Sequence, residues 1–391
     1  MPLTAAGSTL RGRAGQGHFN HTVHGARGLF ALFIFIYHIV NSGYATWPFL
    51  TLRPIDFLLR STEFGVELFF CISGYVICGA LRRAGGPLAF LEDRSIRIYP
   101  ALWASIGAII GIGLLRHGPV FGFVIGQVPA RHVVMSLLAL PGILPVGSLN
   151  PVGWSLSYEM CFYVFCAAGW SMRRAAGRVS ILVLAPVAAV MLALYPRSIF
   201  LLSGVLAAEG YLADRRVQRL AQYPVPWLLS FLILWRAIQV LSLPREFTET
   251  TLFGWALDVR LPLALLAFIA ATLGFAGLAA GHGGLGRLLR TRLFQYFGTI
   301  SYSFYLWHII VVAVVASALR NTGLLDRAGD AVRALLFIAA LPPSVIVAHA
   351  SQRVLERGAG VWLRRRLHHA VPFQVSALNA EAALKGSGGR R

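Results

Sequence analysis

Apolar runs of helix length, separated by short polar segments rich in arginine, cover most of the chain. A run of about 20 apolar residues forms a helix long enough to cross the ~30 Å hydrocarbon layer of a bilayer. We therefore expect an all-α integral membrane protein, a polytopic bundle of about ten transmembrane helices. The predicted spans are residues 28–46, 64–81, 98–115, 154–170, 179–195, 198–213, 224–242, 260–280, 296–318 and 333–354.

One further run, 132–146, is short and is interrupted by Pro141 and Pro145. Arginine clusters decide whether it crosses, because positively charged loops stay in the cytoplasm. If 132–146 does not cross, all the clusters fall on one side, together with Arg11 and Arg13. We therefore expect a re-entrant or interfacial helix near 132–146 and cytoplasmic termini. The clusters lie at 82–97, 173–178, 215–219, 287–292 and 364–366.

The composition agrees with this class and limits the partners. The chain is 57% hydrophobic and 13% charged, with a net charge of +20, and its mean hydropathy is +0.68. In a membrane protein, such an arginine excess indicates cytoplasmic loops that contact anionic lipid or phosphate. No zinc spacing or basic, aromatic-rich module points to nucleic acid. The cysteines lie in apolar runs, so we expect packing residues rather than disulfides or metal ligands: Cys71, Cys78, Cys161 and Cys166.

Polar segments at the two ends flank one membrane domain. The first 22 residues lack the apolar core and cleavage site of a signal peptide. We expect a disordered cytoplasmic tail at 1–22, a membrane domain at 23–366 and a second disordered cytoplasmic tail at 367–391. The acidic residues near 246–258 then lie outside the cell membrane. No internal repeat is apparent, which argues against an inverted-repeat transporter.

The run from Arg27 to His38 puts a cation at the start of the first span and an imidazole well inside it. The helix rises about 16 Å between them, so His38 would lie near the bilayer centre if Arg27 lies at the surface. A histidine at that depth is costly, which makes it a functional candidate. The alternative is a histidine that packs against a neighbouring helix.

Two more arginines, Arg94 and Arg97, begin the third span from the same side. Residues three apart share one face of a helix, so both guanidiniums can converge with Arg27 on one anion. The guanidinium fork binds phosphate bidentately, which suits a phosphorylated ligand. The alternative is ordinary anchoring of the span at the cytoplasmic surface.

Three further polar side chains are expected in the middle and outer layers of the bundle. His308 enters from the cytoplasmic side to about 18 Å, while Glu159 and Glu67 enter from outside to about 8 Å and about 5 Å. An imidazole is the natural base near neutral pH, and a carboxylate partner can orient it. Each group alone can be structural, but together with His38 they favour a reactive centre above a basic cytoplasmic mouth.

Six motifs in this order give the chain a resemblance to a known family. They are Arg27 followed by His38; Gly65-Val-Glu67 with Ser73-Gly74; Arg94-Ser-Ile-Arg97-Ile-Tyr-Pro100; Trp154-Ser155-Leu with Glu159 and Phe162-Tyr163; Arg197 with Phe200 and Gly204; and Ser301-Tyr302-Ser-Phe-Tyr305-Leu-Trp307-His308. The sequence resembles the membrane acyltransferase family three, which moves acyl groups from cytoplasmic acyl-CoA onto extracytoplasmic carbohydrates. The resemblance implies ten spans with cytoplasmic termini. It also implies functional roles for Arg27, His38, Arg94 and Arg97.

The chain departs from the family pattern at two places. The family often has an acidic residue where this chain has His24, and it often ends its last span with Glu-x-Pro where this chain has Glu356-Arg357-Gly358. Many relatives also carry a fused extracytoplasmic hydrolase-like domain. Only about 25 residues follow Arg366, so we expect the stand-alone form.

The expected activity is O-acyl transfer at the bacterial inner membrane. The donor is acyl-CoA, taken as acetyl-CoA, and the acceptor is a hydroxyl of an exopolysaccharide, an O-antigen or a glycosylated small molecule; no metal is expected. The donor phosphates would bind Arg27, Arg94 and Arg97. His38 and Glu159 would be catalytic, with His38 either a general base or the carrier of a transient acyl-imidazole. The expected substrate-binding residues are Glu67, Trp154, Ser155, Tyr302 and His308.

Two other classes of protein remain open at this point. The same buried groups can form the proton relay of a proton-coupled glycan exporter or flippase. A structural subunit of a polysaccharide-synthesis complex is the third reading. The phosphate-suited arginines and the absence of repeats count against the exporter. The expected partners are therefore a carbohydrate acceptor, the lipid bilayer and polysaccharide-synthesis machinery, without nucleic acid.

Overall fold

The computed structural model describes residues 19–41, 53–116, 119–241, 260–324 and 331–369. Across these ranges the regular structure is helical and contains no β-strand. A 3₁₀ turn at Ser61–Phe64 leads into α3, and a π-helical segment at Gln352–Ala359 joins α14 to α15. The helices are α1 His21–Val40, α2 Arg53–Arg60, α3 Gly65–Arg83, α4 Pro87–Arg116, α5 Ala130–Leu137, α6 Trp154–Ala176, α7 Ser180–Leu194, α8 Ile199–Ala208, α9 Arg215–Ala221, α10 Pro224–Leu241, α11 Arg260–Ala279, α12 Gly283–Leu289, α13 Arg292–Asn321, α14 Val332–Ser351 and α15 Gly360–His369.

The number of apolar helices confirms the predicted polytopic bundle. Within the described ranges, 8 helical stretches are long and apolar enough to cross a membrane. One of them, Trp154–Leu194, has 41 residues, about 61 Å of helix and twice the thickness of the hydrocarbon layer. The positive φ of Gly177 (56°) divides it into α6 and α7. With the shorter apolar stretch Pro196–Ala208, the described residues supply ten apolar helical segments, as predicted.

The segment 132–146 does not form a helix long enough to cross. Helix α5 has 8 residues, about 12 Å, and irregular chain with Gly142 at φ 102° follows it. The indole N–H of Trp103 donates to the carbonyl of the last residue of α5 at 2.8 Å. Asn150 then turns into the bundle and donates to the carbonyl of Leu306 at 3.2 Å. A helix of this length is too short to cross the bilayer, which agrees with the interfacial or re-entrant segment expected from the charge distribution.

Polar contacts join several arginine clusters at one end of the bundle. Arg82, at the end of α3, pairs with Glu209, just after α8, at 3.0 Å. Arg364 of α15 pairs with Asp93 near the start of α4. Arg290 donates to a side chain at the start of α1 at 3.0 Å. The contacts agree with clusters that share one side of the membrane.

Two glycines bring the backbones of α3 and α8 into direct contact. A Cβ atom added at Gly74 would lie 1.9 Å from the carbonyl oxygen of Leu201, and one added at Gly204 would lie 1.9 Å from the carbonyl oxygen of Cys71. Small residues at helix interfaces permit such approach in membranes, where packing rather than the hydrophobic effect drives helix association. This contact fixes α3, which carries Ser73 into the centre of the bundle.

Helices α1 and α13 approach each other in the same way. A Cβ atom at Gly28 would lie 2.6 Å from the Cβ of Phe297, and one at Gly298 would lie 2.2 Å from the carbonyl oxygen of His24. The α1–α13 pair holds the two segments that carry the predicted histidines. Parts of the expected tails, 1–18 and 370–391, and the acidic residues near 246–258 lie outside the described ranges.

The α3–α8 contact predicts a sharp difference between two glycines. Gly204→Ala should push the two backbones apart and cost about 1–3 kcal/mol, as overpacking typically does. Gly107→Ala in α4 is the matched control, because no heavy atom lies within 4 Å of the added Cβ. Thermal unfolding of detergent-solubilised protein should show a lowered Tm for Gly204→Ala alone. Equal Tm values for the two variants would contradict the proposed backbone contact.

Candidate functional site

A pocket lies among α1, α3, α4, α6 and α13. The space between these helices measures ≈ 790 Å³, including the open solvent at its mouth. Six residues predicted from the sequence line it: Arg27, Arg94, Arg97, Ser155, Glu159 and Tyr302. The structure therefore brings all three donor-site arginines together with one of the two predicted catalytic residues.

The three arginines differ in their partners. Arg94 pairs with Asp93 at 2.5 Å, and its side chain is 11% exposed. The guanidiniums of Arg27 and Arg97 line the pocket without a hydrogen bond or ion pair to any residue in the described ranges. A cation in an apolar bundle is costly unless it is compensated. These two guanidiniums therefore present unused donors to an anionic ligand.

Arg27 lies within helix α1, not ahead of its first residue. Helix α1 begins at His21, not at residue 28, because the Asn20 side chain accepts hydrogen bonds from two backbone N–H groups of its first turn at 3.1 Å. An asparagine at this position is a strong helix cap. Arg27 is therefore about 9 Å inside the helix start. It lines an internal pocket, not the surface of the bundle.

Glu159 also differs from its expected position. Its Oε1 atom accepts hydrogen bonds from Ser73 Oγ at 2.7 Å and from Tyr163 Oη. It lines the arginine pocket and interacts electrostatically with Arg27. Asn150 inserts into the bundle ahead of α6, so the helix starts at the level of the buried α13 backbone. Glu159 therefore shares its pocket with the arginines.

The two predicted histidines are neighbours. The ring centroids of His38 and His308 lie 5.1 Å apart, and His308 is fully buried. His308 Nδ1 lies 3.0 Å from the carbonyl oxygen of Phe304. A carbonyl oxygen only accepts, so Nδ1 carries the proton and Nε2 keeps a free lone pair. Nε2 is buried without a hydrogen-bond partner in the described ranges.

Two aromatic side chains separate the pocket from the histidines. Phe69 and Tyr305 line the pocket, and their ring centroids lie 6.1 Å apart. The Tyr305 ring is 6.2 Å from the ring of His308. Its hydroxyl forms a 2.7 Å hydrogen bond with Ser155 Oγ. Along the bundle the order is therefore arginines, then Tyr305 with Ser155, then the histidine pair.

Glu67 and Trp154, two of the predicted substrate-binding residues, belong to a separate buried cluster. Glu67 is fully buried, and its Oε1 lies 3.2 Å from Arg197 Nε. Arg197 also pairs with Glu63 at 3.6 Å and places its Cζ 4.9 Å from the Trp154 ring centroid. Neither Glu67 nor Trp154 lines the pocket. This cluster ties α3 and α6 to the turn before α8.

Tyr302 and Ser155 line the pocket as predicted, but each already has a protein partner. The Tyr302 hydroxyl donates to the carbonyl of Ile98 at 2.7 Å, which joins α13 to α4. Ser155 bonds to Tyr305, which joins α6 to α13. Both residues therefore shape the pocket wall through hydrogen bonds between helices.

The sequence analysis did not assign several polar residues of the site. Ser73, Tyr163 and Tyr305 stand within the motifs given above. Each carries a hydroxyl group inside an apolar run, and this is the sequence feature that could have identified it as a site residue. Glu356 stands in the π-helical segment, accepts a hydrogen bond from Ser303 Oγ at 2.6 Å and interacts electrostatically with Arg97 and Arg27. Its pairing could not be read from the chain, because 259 residues separate Glu356 from Arg97.

Metal-ligating residues do not converge in the part of the chain that the structure describes. No group of three or more His, Cys, Asp or Glu side chains is placed to hold an ion there. All four cysteines are free thiols.

Two curated proteins are similar to this chain. "Exopolysaccharide production protein ExoZ" of Rhizobium meliloti (strain 1021) is 33% identical over 272 residues, which cover 65% of this chain and 78% of that protein. "Nodulation protein 10" of Rhizobium leguminosarum bv. viciae is 26% identical over 141 residues, which cover 32% of this chain and 36% of that protein. No solved structure matches the chain.

A family model gives the more complete comparison. The model described as an acyltransferase domain matches residues 20–350, a range that contains every lining residue of the pocket and both histidines. The structure adds the apolar helices of a multi-pass membrane protein. The chain belongs to this acyltransferase family, the membrane acyltransferase family three that its motifs indicated.

Proposed function

We propose that the protein transfers an acyl group, acetyl in the first instance, from cytoplasmic acyl-CoA to a hydroxyl of an extracytoplasmic or lipid-linked carbohydrate. The observation that carries the proposal is the pair of guanidiniums, Arg27 and Arg97, that face the pocket without a direct hydrogen bond or ion pair in the described ranges. One similar protein is named for exopolysaccharide production, which supports a polysaccharide acceptor.

The arginines bind the acyl donor in this proposal. Coenzyme A carries phosphates at one end and its thioester at the other. Phosphates bound by Arg27, Arg94 and Arg97 leave the thioester arm directed along the pocket towards Tyr305. Glu159 interacts electrostatically with Arg27, which lowers the cost of the buried cation before the donor arrives.

The chemical step belongs to His38. As a general base, its imidazole takes the proton of the acceptor hydroxyl while the hydroxyl oxygen attacks the thioester carbonyl carbon. The carbon–sulfur bond then breaks, and the coenzyme A sulfur leaves with the proton from the imidazolium. In the alternative route the imidazole nitrogen attacks the thioester carbonyl carbon first, and the carbon–sulfur bond breaks to release the coenzyme A thiolate. The acceptor oxygen then takes the acyl group from the acyl-imidazole, the carbon–nitrogen bond breaks, and the hydroxyl proton passes to the thiolate.

His308 is the group that orients His38 in this proposal, in place of Glu159. Its Nδ1–H is engaged by the Phe304 carbonyl, which leaves the Nε2 lone pair free on a ring whose centroid lies 5.1 Å from that of His38. An acceptor at Nε2 can hold one nitrogen of His38 as N–H and thereby keep the other nitrogen basic. Glu159 then stabilises the buried charge of Arg27 in the donor pocket.

The sides of the membrane follow from the charge distribution. Arginine clusters joined at one end of the bundle are expected in the cytoplasm under the positive-inside rule. This end contains the starts of α1 and α4, so the arginine pocket is reached from the cytoplasm, where acyl-CoA is made. The histidine pair then lies towards the acceptor side. We infer a location in the bacterial inner membrane with both termini cytoplasmic.

The direct test supplies labelled acetyl-CoA to inside-out membrane vesicles that contain the protein and its glycan. We expect label in the glycan and none in vesicles that lack the protein. A protein that binds or exports glycan without attaching label would be a transporter, and the acyl-transfer proposal would be wrong.

The donor site predicts a graded loss of binding at Arg97. Arg97→Ala should weaken acetyl-CoA binding by about tenfold or more, because charge-assisted hydrogen bonds contribute about 1.5–3 kcal/mol each. Arg97→Lys should recover only part of the loss, since a point charge lacks the fork. Arg116→Ala at the other end of α4, where Arg116 bonds Ser317 at 2.7 Å, is the control and should bind normally. Calorimetric titration measures all three, and unchanged affinity for Arg97→Ala would return that arginine to surface anchoring.

The histidine pair predicts which variants keep activity. His38→Ala should lose acyl transfer by about 10²–10⁴-fold or completely, with donor binding retained. At His308, Gln can replace the Nε2 acceptor, whereas Asn can replace only the Nδ1–H bond to Phe304. We expect kcat to fall strongly for His308→Asn and to be partly kept for His308→Gln.

The order of the two kcat values distinguishes a positioning role of His308 from a purely structural one. If the residue is only structural, Asn should preserve activity better than Gln, because it keeps the helix hydrogen bond. That order of kcat would contradict the positioning role. Near-parent transfer by His38→Ala would contradict the whole assignment of the base.

A further inference from the structure

A second pocket adjoins the arginine pocket at the end that carries the arginine clusters. It is an open pocket between the end of α3, the start of α4 and α15, with a volume of ≈ 830 Å³ that includes open solvent. Arg94 lines both pockets, so the two spaces meet at this side chain. We propose that the second pocket binds the phosphorylated adenosine end of the acyl donor through Arg83 and Arg364. This inference rests on the proposed function and names a subsite for its donor.

Three guanidiniums from three different elements meet at this pocket. Arg83 ends α3, Arg94 lies near the start of α4, and Arg364 belongs to α15. Asp93 pairs with both Arg94 and Arg364, and Glu92 is the other acidic residue of the lining. The lining therefore has a net charge of +1, because it contains three arginines and two carboxylates. A phosphate monoester, which carries about two negative charges, fits such a site better than a neutral ligand does.

The Asp93 carboxylate occupies the place that we assign to a phosphate. Its side chain is 35% exposed and that of Arg364 is 53% exposed. Exposed ion pairs of this kind are weak, because water screens them and the side chains lose entropy. A phosphate carries more charge and binds a guanidinium fork bidentately, so it can displace Asp93 from Arg364. Arg94 is only 11% exposed and stays in place as the link to the first pocket.

Arg94, which lines both pockets, determines how an acyl donor would be oriented. An acyl donor with its 3′-phosphate at Arg83 and Arg364 brings its diphosphate to Arg94 and its thioester arm into the first pocket. Inorganic phosphate or a lipid headgroup has no second part that extends past Arg94 to Tyr305. The arrangement therefore favours a long ligand with phosphates at one end and a narrow arm at the other.

The test compares acetyl-CoA with acetyl-dephospho-CoA, which lacks only the 3′-phosphate. The full-length parent should bind acetyl-CoA more tightly than the dephospho form. In Arg83→Ala and Arg364→Ala, the Kd of acetyl-CoA should rise about tenfold, to that of the dephospho form, whose own Kd should barely change. Arg365→Ala is the matched control, because Arg365 is the next residue on α15 but does not line the pocket. Arg364→Lys should give an intermediate Kd, and unchanged thermal unfolding shows that the variants are folded.

Three outcomes would overturn the inference. Equal weakening of both donors in the variants would place their effect on the whole site and not on the 3′-phosphate. Unchanged discrimination would mean that this phosphate binds elsewhere. Loss of phosphatidylglycerol vesicle binding in the variants, with donor discrimination intact, would assign the pocket to a lipid headgroup. A parent that binds no acetyl-CoA at all would instead refute the proposed function itself.

Discussion

The burial of arginine inside an apolar helix bundle is the constraint on which the rest of the structure depends. A guanidinium taken out of water is costly unless opposite charge or hydrogen-bond acceptors compensate it. Arg197 obtains this compensation within the protein, from Glu63 and Glu67, and the result is a structural cluster. Arg27 and Arg97 interact with carboxylates only at a distance and face a pocket. The difference separates the arginine that holds helices together from those available to a ligand.

Helix α13 connects the two ends of the site. Its residues Tyr302, Tyr305 and His308 follow each other at intervals of three, so they share one stripe of the helix. Tyr302 bonds to α4 near the arginines, Tyr305 bonds to α6 at the pocket wall, and His308 lies beside His38 of α1. Under the proposed function, this stripe is the route of the acyl group from the pocket to the histidines. Tyr305 lies on that route with Phe69 beside it, so the proposal requires these two side chains to move when the acyl group passes.

Much of the fold could be predicted from apolar periodicity and charge. The predicted spans are long, and one arrangement of them puts every arginine cluster on the same side of the membrane. The sequence was less informative where a side-chain cap or irregular chain determines where a helix begins. Helix α1 begins earlier than its apolar run because Asn20 caps it. Glu159 lies beside the arginines because irregular chain, whose depth no helical rise describes, precedes α6. The ion pair of Glu67 with Arg197 and the longer-range interaction of Glu356 with Arg97 join distant parts of the chain, and the sequence alone does not specify them.

A structure of the protein with a non-hydrolysable acetyl-CoA analogue would show whether the buried arginines bind the donor. We expect phosphate density in contact with Arg27, Arg94 or Arg97. We also expect the acyl carbon to lie past Tyr305, within reach of a His38 ring nitrogen. Phosphates bound away from these arginines would refute the donor site. An acyl carbon that lies beside Glu159, out of reach of the histidine pair, would refute the role of His38.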